Sequence, residues 1–122
     1  MIELDCGSRV FTLHTRNTTY QMKADSYNVL LHTYYGPRIS GGDLSYLIRY
    51  ADRGFSPNPN EAGGDRAYSL DTLPQEYSTF GVGDFRESCL DVRDKNGGVA
   101  ADLRYGSYRI YPGKKPLNGL PA

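Results

Sequence analysis

The chain has 122 residues, of which 39% are hydrophobic and 23% charged, enough for one ordinary globular domain with a single core and too apolar for a disordered chain. Fourteen basic residues balance fourteen acidic ones, so no nucleic-acid partner and no anionic-membrane partner is expected, since both require a basic excess. No apolar run approaches the roughly 18 residues of a membrane span.

The N-terminal MIELDCGSRV has neither a basic region nor an apolar one, so no secretion signal is expected there. Cys6 and Cys89 lie far apart, with no metal or redox spacing, which suits two reduced thiols in a cytoplasmic protein. Arg9 to Thr15 alternates as a strand, Arg16-Asn17 supplies turn chemistry, and Thr18 to Ala24 reads as the return strand of a hairpin. Phe11 and Leu13 share a face, as do Tyr20 and Met22 on the partner. Tyr27 to Gly36 is a third strand, dense enough in apolar residues to be buried on both sides for part of its length. His14 and His32 fall inside these strands and read as packed or hydrogen-bonded residues, because no carboxylate or thiol is spaced to complete a metal site.

Gly36-Pro37 and Gly41-Gly42 are breaks. Leu44, Leu47, Ile48 and Ala51 then recur at helical spacing, with Asp43 as N-cap and Gly54 as stop, which predicts a short helix; Tyr46 and Ile48 also fit a strand. Phe55 to Gly64 holds two prolines and two glycines and must be an irregular loop. Cys89 to Arg93 reads as a strand, Asn96-Gly97 as a hairpin turn, and Val99 to Tyr111 as a long returning strand bent at Gly106. That strand places Leu103, Tyr105 and Tyr111 on one face and Arg104, Tyr108 and Ile110 on the other. The sum is a mainly β, antiparallel β-sandwich with at most one short helix. Its domain covers 1–112, and 113–122 is a Pro-, Gly- and Lys-rich linker. Eleven tyrosines, four phenylalanines and no tryptophan fit a β-rich fold, or else a polar, sugar-facing surface.

Tyr68 to Ser88, YSLDTLPQEYSTFGVGDFRES, follows neither period. Leu73-Pro74 blocks a helix, and Gly81 and Gly83 admit positive φ. Its acids, with Asp65, are the candidates for a catalytic carboxylate pair: Asp65, Asp71, Glu76 and Asp84. Their bland alternative is turn formation and ion pairing. No nucleophile elbow, P-loop or dinucleotide fingerprint is present, Gly81-Val82-Gly83 being a fragment of the last. No cofactor and no metal is expected.

The same stretch carries a resemblance. TLPQEY (Thr72 to Tyr77) with GDFR (Gly83 to Arg86), supported by LHTYYG (Leu31 to Gly36), DLSYLIR (Asp43 to Arg49) and the closing RYGSYRIYPGKKPLNGLPA, resembles the N-terminal domain of bacterial α-galactosidases of glycoside hydrolase family 36. The resemblance implies a supersandwich-like β-domain preceding a catalytic (β/α)8 barrel that carries both catalytic Asp residues of a retaining enzyme. No catalytic residue is then expected in this chain, which is inactive alone. Its expected partners are the barrel of the same chain and, in a homo-oligomer of tetrameric type, a neighbouring subunit, with α-galactoside met only in the full assembly. Leu73, Pro74, Tyr77, Phe80, Asp84, Phe85 and Arg86 are the expected barrel-docking residues. Asp52, Arg53, Asp65 and Arg66 are candidates for reaching a neighbour's substrate pocket, with surface ion pairing as the alternative. An independent carbohydrate-binding module using surface Tyr residues is the second functional reading.

Overall fold

The structure, a computed structural model, describes residues 1–54, 58–114 and 119. Four strands form one antiparallel sheet in chain order: β1 (Ile2–Asp5), β2 (Val10–His14), β3 (Thr18–Ala24) and β4 (Leu30–Pro37). The fold is mainly β with almost no helix, as expected. The β2–β3 hairpin pairs Phe11 with Met22 and Leu13 with Tyr20, so these four side chains share a face. β1 was not anticipated, because Ile2 and Leu4 alternate with acids and the strand is mostly exposed. Asp5 turns it into β2: its carboxylate accepts from the N–H groups of Gly7 and Ser8 and from the Ser8 hydroxyl.

β4 starts at Leu30 rather than Tyr27 because Asp25 captures the preceding residues. Its Oδ1 accepts from the N–H groups of Tyr27 at 2.9 Å and Val29 at 2.8 Å, and Asn28 takes a φ of 61°. The Tyr68 hydroxyl donates to the other oxygen. Burial, that hydrogen bond and the Asp25 charge hold the Tyr68 phenol well above its ordinary range.

A bulge at Gln21/Met22 leaves Thr33 without a register partner and turns it to the Gln21 side chain. Gln21 is wholly buried, and its amide is saturated. Nε2 donates to Thr12 Oγ1 at 2.9 Å and the Gly42 carbonyl at 2.7 Å, while Oε1 accepts from Thr33 Oγ1 at 3.1 Å and the Leu44 N–H at 3.0 Å. This pins the Gly41-Gly42 break onto the sheet. On the same face Leu31 enters the core with Val29, Ile48, Ala62, Tyr68, Leu70 and Leu73. The stretch from Tyr68 therefore supplies much of the hydrophobic core. It also covers the outer edge of β4, where His32 N–H donates to the Pro74 carbonyl at 2.7 Å and Glu76 N–H to Leu30 at 2.9 Å.

Three expectations are corrected. The helix expected over Asp43 to Gly54 is a single 3-10 turn, Ser45–Leu47, followed by extended chain. Its apolar residues do not face one core: Tyr46, Leu47 and Tyr50 are exposed and only Ile48 is buried. Asp43 starts the turn by accepting from the Ser45 N–H at 2.8 Å and does not cap a helix. The Asn96-Gly97 turn forms, with Gly97 at φ 87° and hydrogen bonds from Gly97 N–H to Asp94 and from Asp94 N–H to Gly98. Its flanking segments are not strands among the described residues. Cys89 and Leu90 donate to the Ser78 carbonyl and Ala101 to the Phe80 carbonyl, so each leg is tied to 78–80 rather than to the other. Further on, Tyr105 and Tyr108 both meet the Phe11 ring, at centroid distances of 5.9 and 5.6 Å. An unbroken strand would place residues three apart on opposite faces, so the bend at Gly106 cancels the expected alternation. Of the expected 113–122 linker and 55–64 loop, residues 115–118, 120–122 and 55–57 lie outside the described residues.

Leu31 has no solvent exposure and touches every part of the core cluster's surroundings, so Leu31→Ala should lower unfolding free energy by about 2–5 kcal/mol. Tyr46→Ala, at an exposed position, should stay within about 0.5 kcal/mol. Urea unfolding of the two variants checks this; equal effects would contradict the assigned core.

Candidate functional site

The expected site residues fall into two groups joined by one carboxylate. Arg86 and Asp84 form the centre of the first. Asp84 is buried: its Oδ1 accepts from Arg86 N–H at 3.0 Å and Nε at 2.9 Å, and its Oδ2 from Arg86 Nη2 at 2.7 Å and Gln75 Nε2 at 2.8 Å. Arg86 Nη2 also sits 2.9 and 2.8 Å from the carbonyl oxygens of Leu70 and Leu73. Burial works against the Asp84 charge, but the hydrogen bonds from Arg86 and Gln75 outweigh it and hold the carboxyl below the usual range. The Asp84 hydrogen bond likewise raises the Arg86 guanidinium against its own desolvation.

Asp71 is the joint. Its Oδ1 accepts from the Phe85 N–H at 3.0 Å, and its Oδ2 receives Arg53 Nη2 at 2.6 Å. Arg53 is thereby tied to the docking stretch. Asp52 and Arg66 pair at 3.2 Å on an exposed rim, and Asp52 also accepts from the Gly54 N–H at 2.6 Å. Such a pair is worth at most about 1 kcal/mol and leaves both groups reachable from solvent. Asp65 does not pair with its neighbour Arg66; it opens a turn, accepting from the Ala67 N–H on its carboxylate and the Tyr68 N–H on its carbonyl. Glu76, which periodicity could not place, receives the Tyr20 hydroxyl on Oε2 and meets His32 Nδ1 on Oε1 at 3.2 Å. His14 is bonded to Thr19 Oγ1 across the hairpin at 2.8 Å.

The carboxylates once considered as an acid/base pair are therefore engaged: both oxygens of Asp71, Glu76 and Asp84 hold main-chain or side-chain partners. The docking set divides. Leu73 is inside the core, Asp84 is buried, Pro74 is half-buried, and Arg86 spans the surface. Tyr77, Phe80 and Phe85 project, with 59%, 59% and 74% of their surface exposed. Three rings this open, on a backbone this firmly bonded, are presented rather than left over. Sequence reasoning missed Val92 and Val99, which stand exposed near Phe80; a strand pattern does not say which strands remain uncovered. Among the described residues no group of three or more His, Cys, Asp or Glu is placed to hold a metal ion, and no helix is long and apolar enough to cross a membrane.

Comparison with known proteins gives one answer. The family described as "Glycosyl hydrolase family 36 N-terminal domain" matches residues 28–122. The bifunctional alpha-galactosidase/sucrose kinase AgaSK of Mediterraneibacter gnavus is 52% identical over 116 residues, 95% of this chain and 12% of that protein. Alpha-galactosidase AgaA of Geobacillus stearothermophilus is 41% identical over 115 residues, 94% of this chain and 16% of that one. The solved galactosidase domain of AgaSK superposes on all of this chain with a TM-score of 0.93 and 49% identity, and 17% of its own length is matched. The chain thus spans only 12–17% of the length of these relatives.

Because the Asp84 carboxyl titrates lower in the folded chain than in the unfolded one, its contribution is complete above about pH 4, the unfolded value, and is lost as pH falls through the lower folded value. Asp84→Asn should cost about 1–3 kcal/mol at pH 7 and flatten the acid limb of the stability profile. Urea midpoints collected from pH 7 down to pH 3 test both; an unchanged acid limb in the variant would remove Asp84 from this role.

Proposed function

Since the chain belongs to the glycosyl hydrolase family 36 N-terminal domain family, we propose that it is the non-catalytic N-terminal part of a retaining α-galactosidase, serving to dock the catalytic barrel and to assemble the oligomer. The observation that carries this reading is the exposure of Tyr77, Phe80 and Phe85 on a stretch whose backbone is locked by Asp71, Asp84 and Arg86. Aromatic rings on a preorganised surface give up little conformational entropy when covered, and they are the side chains that interfaces favour. The engagement of Asp71, Glu76 and Asp84 supports the non-catalytic part of the proposal.

The exposed Asp52–Arg66 pair, with Arg53 and Asp65 nearby in sequence, is the element we assign to a neighbouring subunit's substrate pocket in a tetramer. A guanidinium and a carboxylate that already face solvent can exchange their mutual contact for sugar hydroxyls at small cost. Residues 113–122 then act as the connection toward the barrel. Two exposed free thiols, Cys6 and Cys89, suit a cytoplasmic setting.

The test is a chimaera in which this chain replaces the aligned residues of the 52%-identical AgaSK. The isolated chain should release no p-nitrophenol from p-nitrophenyl α-galactoside, and the chimaera should release it. Phe85→Ser should shorten the lifetime of the chimaera's activity on heating while leaving the urea midpoint of the isolated chain in place. Turnover by the isolated chain, or a chimaera that never gains activity, would overturn the assignment.

A further inference from the structure

Beside the projecting rings lies a feature that the docking stretch does not account for. The two legs flanking the Asn96-Gly97 turn are splayed, and between them opens a cleft of about 320 Å³ lined by Phe80, Ser88, Asp91, Val92, Arg93 and Val99. The splay has a visible cause. The turn is closed at its tip, but the base of one leg is bonded to Ser78 and that of the other to Phe80, with the Thr79 hydroxyl donating to the Ala101 carbonyl. Close approach fixes this base: a Cβ on Gly81, which sits at φ 92°, would lie 2.6 Å from the Ala100 Cβ. The legs cannot zip together without breaking these contacts, so the cleft is held open by the fold.

Its chemistry is specific. Phe80, Val92 and Val99 leave 59%, 39% and 40% of their surfaces open, giving an apolar hole rather than a polar one. Of the two charged residues at the rim, Asp91 is occupied by the Ser88 hydroxyl at 2.6 Å. Arg93 has neither an ion-pair nor a hydrogen-bond partner among the described residues. An apolar hole beside an unpartnered guanidinium fits an apolar side chain with a carboxylate next to it.

We propose that this cleft is a socket for one apolar side chain, flanked by an acidic residue that pairs with Arg93, projecting from the catalytic region of the same longer polypeptide. The inference rests on the docking reading above and deepens it. The occupant is assigned to that region because the relatives are many times longer than this chain, so most of the surface available to fill the socket belongs to chain outside it. The charge of the rim selects an acidic neighbour. Phe80 belongs to both features, which makes the socket continuous with the projecting rings.

The experiment uses the AgaSK chimaera and the isolated chain together. Val92→Ser with Val99→Ser, and separately Arg93→Glu, should each shorten the half-life of chimaera activity at a fixed elevated temperature by about tenfold, the scale of one apolar contact or one desolvated charge pair lost. The urea midpoint of the isolated chain should not move, because all three residues are exposed there. If Phe85→Ser shortens the half-life and the socket variants do not, the socket is wrong and docking stands. If none of them does, docking itself fails. A shifted urea midpoint in the isolated socket variants would make these residues internal structure. Dimers of the isolated chain that Arg93→Glu dissolves in sedimentation would hand the socket to a second copy, and either result would overturn the proposal.

Discussion

The Asp84–Arg86 pair holds together a segment that has no regular secondary structure to do so. From Tyr68 to Ser88 the chain cannot satisfy its backbone groups through a helix or a sheet ladder, and each buried carbonyl left alone costs on the order of 1–3 kcal/mol. Arg86 reaches back to the carbonyls of Leu70 and Leu73, and Asp84 neutralises it from a buried position. Neither residue suffices alone. Without Asp84 the guanidinium has no reason to stay under the segment; without Arg86 a buried carboxylate has lost its counter-charge. Because Leu70 and Leu73 are core residues, the ion pair links surface electrostatics directly to core packing.

From this frame the remaining architecture follows. The segment closes the edge of β4 through Pro74 and Glu76 and covers one face of the sheet through Leu70 and Leu73. That leaves Tyr77, Phe80 and Phe85 no room inside. Their exposure is a consequence of where the backbone is pinned. Asp71 extends the same logic to Arg53, so the exposed rim formed by Asp52 and Arg66 is tied to the rings rather than hung on an independent loop. The acids of this chain thus organise a surface. For a domain that makes up 12–17% of its relatives' length, a rigid surface is a coherent contribution.

The β2–β3 hairpin, its common face and the Asn96-Gly97 turn could all be read from residue types, because each depends on neighbours within a few positions. The short helix could not. Leu44, Leu47, Ile48 and Ala51 have helical spacing, but spacing states only that a stripe exists, and no core waits for this one. Likewise Cys89 to Arg93 and Val99 to Tyr111 have strand composition, yet their ladder partners were taken by Ser78 and Phe80. The buried amide of Gln21 and the Asp25–Tyr68 contact were invisible for the same reason, joining residues 12 to 43 positions apart.

By itself the sequence determined that the chain is mainly β, that Tyr68 to Ser88 is irregular and polar, and, through TLPQEY and GDFR, which family it resembles. Composition, turn chemistry and a long specific motif are local properties of the chain. Only the tertiary structure decided which of the acids are structural, which aromatic rings stay outside, and that the hairpin legs stand apart around a cleft. Burial and hydrogen-bond satisfaction depend on which distant groups arrive first at the same place, and no single segment carries that information.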